Sequence, residues 1–182
     1  MKKDMAFSGL EAAIVLIAFV VVAAVFSYVM LGAGFFATQK SQEVTYSGIK
    51  QTTSNVVLDG QIYGTMTAGS LSKLQFTLSI PEGGQAQDVS SSGDALAILF
   101  SRTNDGTTWT DATELAWTAK NPVTAADVTT LNPGEKVDIT TTTALGGPTA
   151  GFSFTLEIKP LVGASTLTTK TLSTGFEGGA IL

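Results

Sequence analysis

Catalysis and metal binding need groups that attack, move protons or donate to an ion, and this chain carries few of them. It contains no Cys and no His. Thiolate nucleophiles, disulfides, thiolate metal sites, Ser-His-Asp arrangements and proton shuttles near neutral pH are therefore excluded. The carboxylates Asp88, Asp94, Asp105 and Asp111 are scattered, and Asn104-Asp105-Gly106 reads as a turn rather than as part of a Ca²⁺ loop. No Gly-x-Ser-x-Gly elbow, phosphate-cradling glycine loop or paired-acid motif is present. The residues thus name no catalytic group, no metal ligand and no cofactor.

One ionisable residue stands in an unusual setting. Glu11 heads an uncharged apolar run from Ala12 to Ala37, and the next charge is Lys40. A carboxylate beside such a run costs about 2.5–3.5 kcal/mol at the centre of a bilayer and less near its edge. A local account is a capping box, Ser8-x-x-Glu11, which satisfies free amides at a helix start. A functional account needs a cation brought to the carboxylate. Cleavage between Ala6 and Phe7 would make Glu11 the fifth residue of a mature chain, and its new α-amino group could pair with Glu11 of a neighbouring copy. The two accounts are compatible.

The element that positions Glu11 must be a helix. A span of roughly 20 apolar residues crosses a bilayer, and this run exceeds it. Lys2 and Lys3 ahead of it favour a cytoplasmic N-terminus. A secretory signal fits poorly, since its apolar region is about 7–15 residues and ends at a small-residue cleavage site. Here Gly32–Ala37 grades into a polar stretch, and no Pro occurs before Pro81. A helix can therefore continue to about Asn55, a rod of roughly 70 Å from Ser8. A plain single-pass anchor competes with this reading, and Glu11 with its short basic leader counts against it.

The short leader, a small residue, Phe7-Ser8-Gly9-Leu10-Glu11 and a long apolar run together resemble the class III signal of type IV pilin-like proteins. Within that superfamily, Phe7–Gly34 and Ser47–Gly64 resemble archaeal flagellins (archaellins) of methanogens. Ala6 stands where Gly is commoner in the family. The resemblance implies a leader, 1–6, removed by a prepilin-peptidase-like enzyme at Ala6 and Phe7. It implies a helix, 7–55, that anchors the precursor in the membrane and then forms the filament core. A β-sandwich head, 56–182, would lie on the filament surface. Assembly contacts are expected from Phe7, Glu11, Ala12, Ile14, Val15, Leu16, Ile17, Phe19, Val22 and Phe26. Implied partners are many copies of the chain itself, the membrane before assembly, and the archaellum assembly and motor machinery. The implied location is an extracellular filament on the archaeal cell surface.

Beyond Val56 the pattern becomes one of alternation. Leu74–Ile80 and Phe152–Lys159 alternate apolar and polar residues, which puts one set on each face of a strand. Val137–Thr140 is a shorter case, and Ala95–Phe100 reads as a more buried strand. Turn signals at Pro81–Gly84, Asn104–Gly106, Asn132–Gly134 and Gly146–Pro148 separate these pieces. Strands are expected near 56–67, 72–80, 95–102, 112–118, 135–142, 152–160 and 165–173. The fold class is α+β: a long hydrophobic N-terminal α-helix followed by an antiparallel β-sandwich, which the family resemblance makes immunoglobulin-like. A hinge is expected at Ser54-Asn55. Trp109 and Trp117 read as packing residues, and the apolar C-terminus as the end of a packed strand. The Thr-rich stretches suit exposed strands.

Three functions compete. The first is a polymerising archaellum subunit, a structural protein used for swimming. The second is an adhesive pilin of the same superfamily. The third is an enzyme or membrane-anchored binding module, disfavoured because no active constellation exists. The formal charge of −5, without a basic cluster beyond Lys2 and Lys3, excludes nucleic acid as a partner.

Overall fold

The computed structural model describes residues 3–91 and 96–182, with side chains in the first helix described from Gly9 onward. The chain divides into two compact units, Met1–Ser47 and Gly48–Leu182. A single helix, α1 (Lys3–Thr53), is continuous for 51 residues. Absence of proline permits this length, although the helix is rich in β-branched Val and Ile and carries four glycines, Gly9, Gly32, Gly34 and Gly48. The helix closes where Ser54 N donates to Lys50 O at 3.0 Å and the Thr53 hydroxyl caps Ile49 O at 2.9 Å. Lys50 lies in the last turn, where a cation complements the exposed carbonyls. Because α1 starts at Lys3, Ser8 is an interior helical residue in this form of the chain. The capping-box reading of Ser8 and Glu11 is therefore corrected: no helix begins there.

Eleven strands follow among the described residues: β1 (Val57–Thr67), β2 (Ser70–Ser79), β3 (Gln87–Asp88), β4 (Leu96–Arg102), β5 (Thr113–Glu114), β6 (Trp117–Lys120), β7 (Thr130–Leu131), β8 (Lys136–Thr141), β9 (Ser153–Pro160), β10 (Thr166–Thr171) and β11 (Gly178–Ile181). One sheet has the order β11-β1-β2-β8-β6, a second β10-β9-β4-β5, and β3 pairs with β7. Every pairing is antiparallel. The alternation seen in the sequence becomes burial. Leu74, Phe76 and Leu78 of β2, Val137 and Ile139 of β8, Ile98 and Phe100 of β4, and Phe154, Leu156 and Ile158 of β9 share one core. Phe100 and Phe154 meet with ring centroids 5.7 Å apart. Thr141, a buried polar residue, is satisfied by the Leu74 amide at 2.9 Å.

Three expectations are refined. The strand expected at 112–118 is divided: β5 joins the second sheet through β4, while β6 joins the first through β8. Leu115 is buried at the crossing. Trp117 is 5% exposed and packs as expected, whereas Trp109 is 45% exposed and bridges Thr103 at the surface. The third concerns the hinge. Ser54 is fully buried, and the Val56 carbonyl accepts the Thr166 hydroxyl at 2.7 Å. Gly163, at φ 118°, leaves no room for a side chain: a Cβ there would overlap the Ser54 carbonyl oxygen. Ser54-Asn55 is therefore held by the loop after β9 and is not a free joint.

Candidate assembly surface

The apolar surface of α1 has no cover within the chain. From Gly9 to Thr53 every described side chain of the helix is exposed, including Ile14, Val15, Leu16, Ile17, Phe19, Val22 and Phe26. Helical spacing sorts the expected contact residues. Glu11, Val15, Phe19, Val22 and Phe26 follow one another at intervals of four, four, three and four, and so share a face. Ala12 flanks it, Leu16 and Ile14 lie to either side, and only Ile17 lies on the opposite side of the helix. Apolar residues thus surround the helix on all sides rather than forming one stripe. Such a helix is stable in water only when covered all round, by lipid or by several other helices. A one-sided dimer would leave most of it wet.

The second half of the helix differs. Lys40 and Glu43 form an i,i+3 ion pair at 2.5 Å on its surface. The hydroxyls of Thr38, Thr45 and Thr52 each donate to the carbonyl four residues earlier at 2.8 Å. These hydroxyls need no outside partner, so their helix face can be covered without stranding a polar group. The side chains of Ala6 and Phe7 lie outside the described residues.

The remaining carboxylates are engaged locally. Asp105 Oδ1 accepts from the amides of Thr107 and Thr108 at 2.9 and 2.7 Å and from the Thr103 hydroxyl at 3.0 Å. Those amides hold the Asp105 carboxyl well below the usual carboxylate range. Asp88 accepts from the Ser90 amide at 2.8 Å, which lowers its pKa too. Asp94 lies outside the described residues. Among those described, no three carboxylates gather where an ion could sit, and Asp88, Asp105 and Asp111 do not converge.

A long helix apolar on every side, joined to a double-sheet head, has a match among known proteins. A model of archaeal-type flagellin matches residues 6–170. The chain belongs to the archaeal-type flagellin family. It is 37% identical over 193 residues to probable flagellin 2 of Archaeoglobus fulgidus, covering 96% of this chain and 93% of that one. It is 50% identical over 107 residues to probable flagellin 1 of the same organism, covering 58% of this chain but only 52% of the relative. The archaeal flagellum of Methanospirillum hungatei superimposes with a TM-score of 0.74 at 54% identity, covering 96% of this chain and 99% of that one. The double-sheet head after a single long helix is thus the fold of this flagellin.

Proposed function

We infer that this flagellin is the structural subunit of an extracellular archaeal flagellum, a homopolymeric filament used for swimming. The observation that carries the reading is the helix: apolar all round, uncovered in the single chain, and followed by a head that closes its own core. Likeness to the assembled flagellum of Methanospirillum hungatei over nearly the whole chain supports a filament rather than an adhesive pilin. A subunit that polymerises has no substrate, and the chain's role is structural rather than catalytic.

The mechanism follows from solvent exchange. Lipid tails are about as apolar as Leu, so α1 loses little burial on moving from bilayer to helix bundle. The same segment can anchor the precursor and then line the filament core. Copies related by a screw operation make heterologous contacts that never close, which gives an open filament. Leader removal between Ala6 and Phe7 by a prepilin-peptidase-like enzyme frees an α-amino group. The amine meets Glu11 of an adjacent copy, so the carboxylate is neutralised only in the correct register. Phe7, Ala12, Ile14, Val15, Leu16, Ile17, Phe19, Val22 and Phe26 supply the packing around that pair. Motor and assembly proteins of the archaellum complete the set of partners.

Intact mass and N-terminal sequencing of protein sheared from cell surfaces test the reading. A sedimentable chain beginning at Phe7 is expected. A chain beginning at Met1 and confined to membranes would overturn both processing and assembly.

A further inference from the structure

The chain contains two Asp-Gly steps, Asp59-Gly60 and Asp105-Gly106. Of all steps that follow an Asp, this one is the most open to spontaneous isomerisation, because glycine puts no side chain in the way of its own amide nitrogen. That nitrogen bonds to the Asp carboxyl carbon Cγ. The carboxyl oxygen leaves as water, taking the amide hydrogen and the acid proton with it, and a five-membered succinimide closes. Water then opens the ring. Where it cleaves the bond between the nitrogen and the Asp main-chain carbonyl carbon, the chain runs on through Cγ as isoaspartate, one methylene longer.

Position alone makes Asp105-Gly106 vulnerable. Both residues are exposed, in the tip that joins Thr103 to its bridge partner Trp109. Gly106 has φ 77°, and among the described residues nothing lies within 4 Å of where its Cβ would stand. The contacts at the tip oppose each requirement of ring closure. Asp105 Oδ1 accepts from the Thr108 and Thr107 amides and from the Thr103 hydroxyl, so swinging the carboxyl towards the Gly106 nitrogen means giving up bonds to three donors. The same donors, the Thr108 amide foremost, hold the carboxyl ionised, whereas the leaving oxygen must carry a proton. The attacking nitrogen is engaged as well, since Gly106 N donates to Thr103 Oγ1 at 3.0 Å. One hydroxyl therefore holds both reacting groups, donating to the carboxylate and accepting from the amide. Thr103 is itself anchored: it is 2% exposed, and its amide donates to Ser153 O at 3.0 Å.

We propose that Thr103 guards the Asp105-Gly106 step: its hydroxyl keeps the carboxylate and the Gly106 amide in bonds of their own, so that an exposed Asp-Gly tip does not isomerise while the head is folded. The protection belongs to the head alone and holds whatever covers the helix. For a subunit that stays in a polymer outside the cell, it preserves the head for as long as the filament lasts.

The test ages the purified full-length chain at neutral pH and maps isoaspartate at both Asp-Gly steps, using a protease that cuts before aspartate but not before isoaspartate. The urea-unfolded chain supplies the unprotected rate at each step. Folded wild type is expected to form isoaspartate at Asp105 far more slowly than the unfolded chain. Thr103→Ala is expected to raise the folded rate at Asp105 by roughly ten- to a hundredfold, the factor of one hydrogen bond to a charged group, with Asp59 unchanged. Thr103→Ser keeps the hydroxyl and is expected to retain the wild-type rate. A folded wild type that isomerises at Asp105 as fast as the unfolded chain would overturn the protection. An unaltered rate in Thr103→Ala would overturn the hydroxyl's part in it. Equal acceleration at Asp59 and Asp105 would do the same, since it would assign the protection to the fold at large.

Discussion

Phe19→Ala separates a helix that only anchors from one that also holds a filament together. Phe19 is 75% exposed in the single chain, on the face it shares with Glu11, Val15, Val22 and Phe26. Full burial of a Phe side chain contributes about 1.5–3 kcal/mol, and three quarters of that is about 1.1–2.3 kcal/mol. A poorly relaxed cavity in the bundle would add to it. At 1.36 kcal/mol per factor of ten, the equilibrium between filament and dissolved subunit moves by roughly 5- to 50-fold. The assay is the subunit concentration in the supernatant over sheared filaments, measured after dilution and equilibration. Membrane insertion of the precursor should be unchanged, because Ala leaves the run from Ala12 to Ala37 uncharged. Melting of the head should be unchanged as well. An unaltered supernatant concentration would refute the claim that this face is buried between subunits.

Four further outcomes are expected. Glu11→Gln keeps size but removes the charge, so cleavage at Phe7 should proceed while filaments are lost from the cell surface; normal filaments would dismiss the amine–carboxylate pair. Phe154→Ala opens the head core beside Phe100 and should cost about 3–5 kcal/mol, read as a lower thermal midpoint. Gly163→Ala combines positive-φ strain with collision against the Ser54 carbonyl, and should cost about 2–4 kcal/mol with loss of amide protection at Val56. The Asp105 carboxyl titrates below its unfolded value, so its contribution is present above the ordinary pKa of about 3.9 and is lost only as pH falls through the lower folded value. The Thr107 and Thr108 amides should therefore keep their chemical shifts on acidification through about pH 3.9, and lose them in Asp105→Ala.

How much of this was legible in the sequence depended on the length of the signal. Leu74–Ile80 and Phe152–Lys159 alternate over enough residues to declare a face, and β2 and β9 lie there. The uninterrupted helix followed from apolar content and missing proline, and it ends at Thr53, two residues before the expected limit. Two-residue strands such as β3 and β7 have no period to detect, so they escaped. Thr113 to Lys120 looks like one strand locally, and only pairing with β4 and then β8 reveals the change of sheet. The buried Ser54 escaped for a similar reason: its neighbour Gly163 is more than a hundred residues away.

The division of labour between the two halves explains why sequence reading reached function at all. The head closes its own core, and among its described buried side-chain atoms only Ser54 Oγ and Asn55 Oδ1 lack a partner, so its surface carries little that announces a role. The helix does the opposite and leaves its entire apolar circumference to be covered by something else. Such a surface is not stable bare in water, and in the proposed function its covering is lipid at one stage and other copies at another. Lipid accepts any orientation, but in the proposed filament a bundle would accept Glu11 only where a cation from a neighbour meets it. An interior charge in an otherwise interchangeable surface converts nonspecific burial into a fixed register. On the proposed reading the apolar residues would supply most of the attraction between subunits, and this one carboxylate would decide which of the many possible packings becomes a filament.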